Sequence, residues 1–312
     1  MKPSIATITL NPAVDQTVSI PNFRAGEVNR VEWEQSDPGG KGVNVASFLA
    51  DFGCSVSVSG FLGKDNAELF QTFFAQQGIQ NRFVPVAGKT RVNIKITDTL
   101  LNQVTDINFP GQPPIAADLA TLHRVIDDLA IAHDWFVLAG SLPHGLSPAI
   151  YGELVARLKA QGKTVVLDAS GESFRQAIPF APYAIKPNVE ELQELCGQRL
   201  ETEAAIVQTA QDLLSKGIEC VVVSMGAQGA IFAEANAIVV ARPPKIEVVS
   251  TVGAGDAMVS GLIMGKLRGF SLSDCARLAT AFSMGALSQV GPRLPPQEAI
   301  ESLMQEVRVE TL

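Results

Sequence analysis

Short, continuously apolar runs alternate with helix-length amphipathic ones along most of this chain, and that alternation limits its fold more than any other feature. IATITL (5–10), SVSVSGFLG (55–63), WFVLAG (135–140), KTVVLDAS (163–170), YAIKPN (183–188) and ECVVVSMG (219–226) read as strands. VNVASFLADFG (43–53), NAELFQTFFAQQG (66–78), PAIYGELVARLKAQG (148–162), a segment ending near Cys196 and residues 202–216 read as helices. In the first helix Val45, Leu49 and Phe52 share a face, and Gly53 is a stop signal. Strands without polar alternation are buried on both faces. The pattern therefore predicts an α/β fold with a mostly parallel sheet covered by helices on both sides.

Residues 12–36 and 89–109 break this rhythm. VDQTVSI, VNRVEWEQ, TRVNIKIT and QVTDINF alternate with period two, as half-exposed strands do. Such strands can pair as a small sheet beside the main one, a lid with no independent core. No repeat, linker or low-complexity segment is visible, so residues 1–312 read as one domain carrying that lid. A hydrophobic fraction of 46% against 18% charged residues supplies a large core.

A net charge of −8 disfavours nucleic acid and anionic membrane as partners. An anionic small substrate would then need specific Arg, Lys or backbone N–H groups. Cys54, Cys196, Cys220 and Cys275 form no CxxC pair, which argues against a metal knuckle or redox motif. MKPSIATITLNP has no apolar signal region, and no run of 18 apolar residues occurs, so the chain reads as cytosolic.

VVSTVGAGDAMVSGLIMGKLRG is a strand-like run, a glycine turn and a long helix. Gly253 and Gly255 leave backbone N–H groups unobstructed, and the helix adds its positive end, so the turn can cradle an anion. Met258 stands where a dinucleotide fingerprint needs its third glycine, which disfavours a nicotinamide-dependent oxidoreductase, and no GxxxxGK[ST] occurs. Asp256 has two readings. It is a helix cap, or it takes a proton from an attacking hydroxyl.

DPGGKGVNVA (37–46) is a second glycine turn entering a helix, with Gly39, Gly40, Lys41 and Asn44 available to a ligand or serving structure alone. In AIKPNVEEL, Asn188 and Glu191 form either a capping box or a support for hydrated Mg²⁺. Asp15, at a strand's end, suits sugar hydroxyls or a turn. Arg91 and, less strongly, Arg30 suit a phosphate or plain solvation. Ser141, in GSLPHG, follows a strand and can meet a ligand.

The ordered set Asp15, GGKGxN, Arg91, KPNxxE, SMGAQGA, GAGD spans nearly the whole chain and resembles the PfkB (ribokinase-like) family of carbohydrate kinases. The resemblance implies a ribokinase-like three-layer sandwich with a β-sheet lid that often serves dimerisation, and ATP and Mg²⁺ as ligands. It implies Asp256 as base, with Gly253, Ala254 and Gly255 as the anion hole. It implies Asn188 and Glu191 on the Mg²⁺ and its waters, and Lys186, Asn188, Ser224, Gly226, Gly229, Thr251, Gly253, Gly255 and Ser283 on the nucleotide. Asp15, Gly39, Gly40, Lys41, Asn44, Arg91 and Ser141 would face the sugar phosphate. NPAVDQTV, the lysine of GGKG and VTDINFPG look most like members that convert fructose 1-phosphate to fructose 1,6-bisphosphate. Kinases of tagatose 6-phosphate and fructose 6-phosphate are close relatives. A non-catalytic sugar-phosphate sensor is the alternative of another class. TDTLLNQVTD departs from the polar, glycine-containing hairpin expected in the lid.

Overall fold

The apolar runs come together side by side. In a computed structural model, which describes residues 3–101, 103–289 and 291–312, the chain opens with β1 (Ser4–Thr9). It then leaves the main sheet for β2 (Ala13–Ser19) and β3 (Trp33–Gly39), and returns through α1 (Lys41–Asp51) to β4 (Ser55–Gly63). α2 (Glu68–Gln77) and the short β5 (Gln80–Asn81) and β6 (Val84–Val86) precede a second excursion, β7 (Arg91–Asp98) and β8 (Gln103–Ile107). Next come α3 (Ala116–Ala132), β9 (Trp135–Ala139), α4 (Ile150–Ala160), β10 (Thr164–Asp168) and α5 (Gly171–Ala177). β11 (Ala184–Ile185), α6 (Val189–Cys196), α7 (Glu203–Leu214) and β12 (Cys220–Ser224) continue the alternation. A hairpin of β13 (Ala230–Glu234) and β14 (Ala237–Arg242), helices α8 (Ala254–Leu267), α9 (Leu272–Leu287) and α10 (Gln297–Glu306), and β15 (Arg308–Thr311) complete it.

The main sheet has eleven strands in the order β15-β14-β13-β12-β11-β10-β9-β1-β4-β5, with β6 also on β4. From β12 to β5 every pairing is parallel, whereas β13, β14 and β15 run antiparallel. Side chains alternate between two cores, as period-two strands require. Val166 and Val222 pack with Phe48 and Phe282 on one face, while Val165, Leu167, Val221 and Val223 pack with Leu122 and Leu154 on the other. α1 is buried continuously from Gly42 to Leu49, because it lies between the sheet and α8. The single apolar face read from its sequence was too narrow.

After β1 the chain winds first to β4 and later, from β9, in the opposite direction. Loops leaving neighbouring strands therefore diverge, and a crevice opens at the strands' carboxyl ends.

The two period-two segments pair as expected. Their sheet has the order β3-β2-β7-β8, with β2 and β7 parallel and joining the two segments. Its first segment runs further than the sequence suggested: Asp37, Pro38 and Gly39 belong to β3, paired with Asp15, Val14 and Ala13, so only Gly40 makes the turn into α1. Val18, Ile20 and Ile96 give this sheet a small buried cluster of its own, where the sequence reading expected none.

The unusual TDTLLNQVTD turn is organised by Asp98. Its carboxylate accepts the backbone N–H groups of Asn22, Leu100 and Leu101, each at 3.0 Å, and of Phe23 at 2.7 Å. An Asp bonding backbone two and three residues on replaces the glycine such a turn otherwise needs; Asn102 lies outside the described residues. Asp98→Ala frees four lid N–H groups together. Hydrogen exchange at Asn22, Phe23, Leu100 and Leu101 is expected to accelerate roughly tenfold or more, with β9 and β10 unchanged. Unaltered exchange at those four would contradict this role.

Candidate active site

Four charged side chains meet at the carboxyl ends of the central strands. Asp168 closes β10 and is fully buried; Lys41 Nζ donates to its Oδ1 at 2.8 Å, and Lys186 Nζ lies 3.6 Å from its Oδ2. Burial alone would raise the Asp168 carboxyl, but the Lys186 and Lys41 cations outweigh it and hold it below the usual range. Lys41 follows the same logic in reverse. Burial would lower its pKa, yet the charges of Asp168, Asp256 and Glu191 hold it above its ordinary value.

The fourth charge is Asp256, buried in the first turn of α8. Burial first, and the Asp168 charge second, push its carboxyl up to about 6, against the opposing pull of Lys41, a hydrogen bond from Asn44 and Lys186. Asn44 Nδ2 donates to Asp256 Oδ2 at 2.7 Å, tying α1 to α8.

The cap reading of Asp256 does not hold. The N-cap is Gly253, in the left-handed region at φ 78°, and no side chain caps this end. Four residues past it, the Ala257 N–H returns to the Gly253 carbonyl at 2.8 Å. The N–H groups of Ala254, Gly255 and Asp256 belong to the first turn, where an α-helix offers no backbone partner, so they and the helix dipole are available to an anion. A side chain at 253 would also press on the Phe48 ring, 3.3 Å from its Cβ.

The capping box at Asn188 does hold. Its Oδ1 accepts the Glu191 N–H at 2.7 Å, and Glu191 Oε2 accepts the Asn188 N–H at 2.9 Å. Both side chains nevertheless line the site.

Two cavities meet here. An inner pocket of about 340 Å³ is lined by Lys41, Asp168, Lys186, Asn188, Glu191, Ser224, Gly253, Gly255 and Asp256. A larger cleft of about 900 Å³ shares Asn188, Ser224 and Gly255 with it and adds Gly226, Gly229, Thr251 and Ser283, walled by Met225, Ile246, Met258 and Leu287. The nucleotide residues expected from the sequence thus gather on one cleft, except Lys186 and Gly253, which face the inner pocket. Among the described residues no group of three or more His, Cys, Asp or Glu side chains could hold a metal.

The lid-side residues Asp15, Gly39, Gly40, Arg91 and Ser141 do not line the inner pocket. A Cβ at Gly39 would lie 2.0 Å from Asp15 Oδ2, so the first glycine of GGKG makes room for that carboxylate. Burial raises the Asp15 carboxyl, with Asn93 donating to its Oδ1 at 3.0 Å. Gly40, at φ 117°, is the N-cap of α1 and packs against Thr9 and Pro12. Ser141 accepts from Asn11 at 3.1 Å. Arg91 is turned onto the backbone: its guanidinium donates to the carbonyls of Asn11 and Phe109 at 3.0 Å and of Pro12 at 3.4 Å. Arg30 sits in the exposed loop between β2 and β3.

Two residues escaped the sequence reading, Asp168 and Asn11. Asp168 had a usable signal, a lone carboxylate closing the apolar run TVVL at a strand's carboxyl end. Asn11 had none beyond its place after β1.

Residues 4–299 match the model of the pfkB family carbohydrate kinases. The chain belongs to this family. It is 47% identical to the 1-phosphofructokinase of Rhodobacter capsulatus over 309 residues, 99% of this chain and 98% of that one. Phosphofructokinase-2 from Escherichia coli in complex with potassium superposes with a TM-score of 0.91 at 26% identity, over 98% of this chain and 99% of that one. A possible 1-phosphofructokinase from Thermotoga maritima gives 0.89 at 28%, over 99% of each. The ribokinase-like sandwich with its separate small sheet is therefore the family's architecture as well as this chain's.

A carboxyl raised to about 6 from 3.8 makes ionised Asp256 a cost to folding. The stability of the protonated form is fully present below about pH 4 and is lost as pH rises through about 6. At about pH 8, Asp256→Asn is therefore expected to be more stable than the parent by on the order of 2–3 kcal/mol, a gap that closes toward pH 4 in denaturant titrations. A variant less stable than the parent at high pH would contradict it.

Proposed function

We propose that this pfkB kinase transfers the γ-phosphoryl group of ATP to fructose 1-phosphate, giving fructose 1,6-bisphosphate and ADP. The observation that carries the reading is the junction of the two cavities at Asn188, Ser224 and Gly255, with the Asp256 carboxylate and the α8 N-terminus beside it. A nucleotide filling the larger cleft would direct its phosphates toward that junction. The acceptor enters from the lid side, past Asp15, Asn44 and Lys41.

In this reading the acceptor hydroxyl oxygen attacks the γ-phosphorus in line. The bond to the β,γ-bridging oxygen breaks, ADP leaves, and the hydroxyl proton passes to Asp256. A carboxyl near 6 is ionised at neutral pH and basic enough to accept that proton. The N–H groups of Ala254, Gly255 and Asp256 stabilise the charge on the moving phosphoryl. Lys41 and Lys186 add positive charge, and Asp168 fixes both ammonium groups. Magnesium, when bound to the nucleotide, neutralises phosphate charge. Asn188 and Glu191, which line the inner pocket, would hold such a hydrated cation through its waters. The 1-phosphofructokinase relatives support fructose 1-phosphate over its isomers.

A coupled ADP-release assay at matched concentrations is expected to rank fructose 1-phosphate above fructose 6-phosphate and tagatose 6-phosphate. Tight binding without turnover of any of them would favour a sensor. Asp256→Asn is expected to lower kcat by roughly 10²–10⁴-fold with much less change in sugar-phosphate affinity. A near-wild-type kcat would remove Asp256 from the base role.

The same reading extends to assembly as a homodimer through the lid. Val28, Val31, Trp33 and Val104 stand exposed there, an apolar surface suited to a second copy. Light scattering is expected to give twice the chain mass, and Trp33→Asp to shift it toward the monomer. A monomeric parent would refute the lid interface.

A further inference from the structure

The loop after α9 touches the lid and the anion cradle at once. Pro292 Cα lies 3.7 Å from the Cβ position of Gly253, the N-cap of α8. One residue on, Arg293 Nη2 reaches Asp37 Oδ1 in lid strand β3 at 3.1 Å. The fit is close: Gly291 adopts φ 75°, and a Cβ there would sit 3.0 Å from Asp37 Oδ2 and 3.4 Å from Arg293 Nη1. Gln35 Nε2 donates to Asp37 Oδ2 at 2.7 Å, completing the carboxylate's surroundings. The pair spans the edge of a cavity of about 370 Å³ between the lid strand, α1 and this loop, so it is a tie across a gap and not part of a packed core. Asp51, near the end of α1, faces the same guanidinium.

Asp37 is also the direct cross-strand neighbour of Asp15. The two carboxylates share one face of the lid sheet, and the Asp37 charge opposes ionisation of Asp15. Arg293 offsets that charge from the far side of the cavity.

We infer that Arg293 is a positioning residue for the sugar phosphate, acting through Asp37 on Asp15 and tying the lid to the loop behind Gly253. The inference rests on the reading of Asp15 as a sugar contact. Without Arg293, a second carboxylate stands uncompensated beside Asp15, repels an anionic substrate and frees the base of the lid strand. Without Asp37 the tie is lost, but so is the repulsion.

The order of effects is therefore specific. Arg293→Gln is expected to raise the KM for fructose 1-phosphate roughly five- to tenfold, leaving kcat and the KM for ATP within about twofold. Asp37→Asn is expected to be milder, Asp37→Asn with Arg293→Gln to fall back to the Asp37→Asn value, and Arg293→Lys to recover most of the affinity. Titration calorimetry with fructose 1-phosphate reads the same order without turnover, so a parent that binds but does not react refutes the kinase reading and still tests this one. Equal losses in both KM values and kcat, additive effects in the double variant, or a changed melting temperature with unchanged sugar-phosphate affinity would overturn it. Absence of any sugar-phosphate binding by the parent would overturn both.

Discussion

Two carboxylates and two ammonium groups share one buried pocket, and much of the architecture serves to keep them there. Asp168 is fully buried and binds both lysines, so its charge is offset; Asp256 has Asn44 and more distant cations, so its proton is held more tightly. Like charges placed close together drive their pKa values apart, which leaves one permanent anion and one poised to exchange a proton. Were Asp168 absent, Lys41 and Lys186 would face each other unbalanced in a low-dielectric cavity. The pocket is thus a balance of charge, in which the protonation of Asp168, Lys41 and Asp256 is set by their neighbours.

The fold supplies the positions for that balance. Asp168 ends β10, Lys186 follows β11, and Lys41 and Asp256 open α1 and α8. All four therefore stand on the sheet's carboxyl edge or on helix starts. Positive helix ends and glycine turns at Gly40 and Gly253 make the same region hospitable to phosphate. The lid is different in kind. It has a small core of its own, depends on Asp98 to shape two of its turns, and meets the body through contacts such as Arg91 with the carbonyls of Asn11 and Pro12 and Arg293 with Asp37.

Much of this was legible in the sequence, for identifiable reasons. Continuous apolar strands at 5–10, 135–140, 163–170 and 219–226 demanded burial on both faces and gave the parallel sheet. The period-two runs at 12–36 and 89–109 gave the lid. Where the readings fell short, the missing information was tertiary. The α3 helix at 116–132 and the antiparallel β13, β14 and β15 carried no reading of their own, because their faces are defined by what they pack against. Local sequence could not separate a cap from a ligand at Asp256 and Asn188. The folded chain answers differently for each, since Gly253 takes the cap in one case and Asn188 in the other. Glycines 39 and 40 looked like ligand-facing residues, yet each has a packing reason in Asp15 or in Thr9 and Pro12. Asp168 matters through its distance from Lys41 and Lys186, which sequence spacing does not reveal.

In the proposed mechanism Asp256, held near 6 by burial and by Asp168, takes the acceptor's proton. The pH dependence of kcat/KM for the sugar phosphate, compared between the parent and Asp256→Asn, tests it most directly, because that ratio reports ionisation in the free enzyme. The parent is expected to lose activity about tenfold per pH unit below roughly pH 6, with this acid limb absent from the residual activity of Asp256→Asn. A parent profile flat down to about pH 4.5, or the same limb persisting in Asp256→Asn, would contradict it.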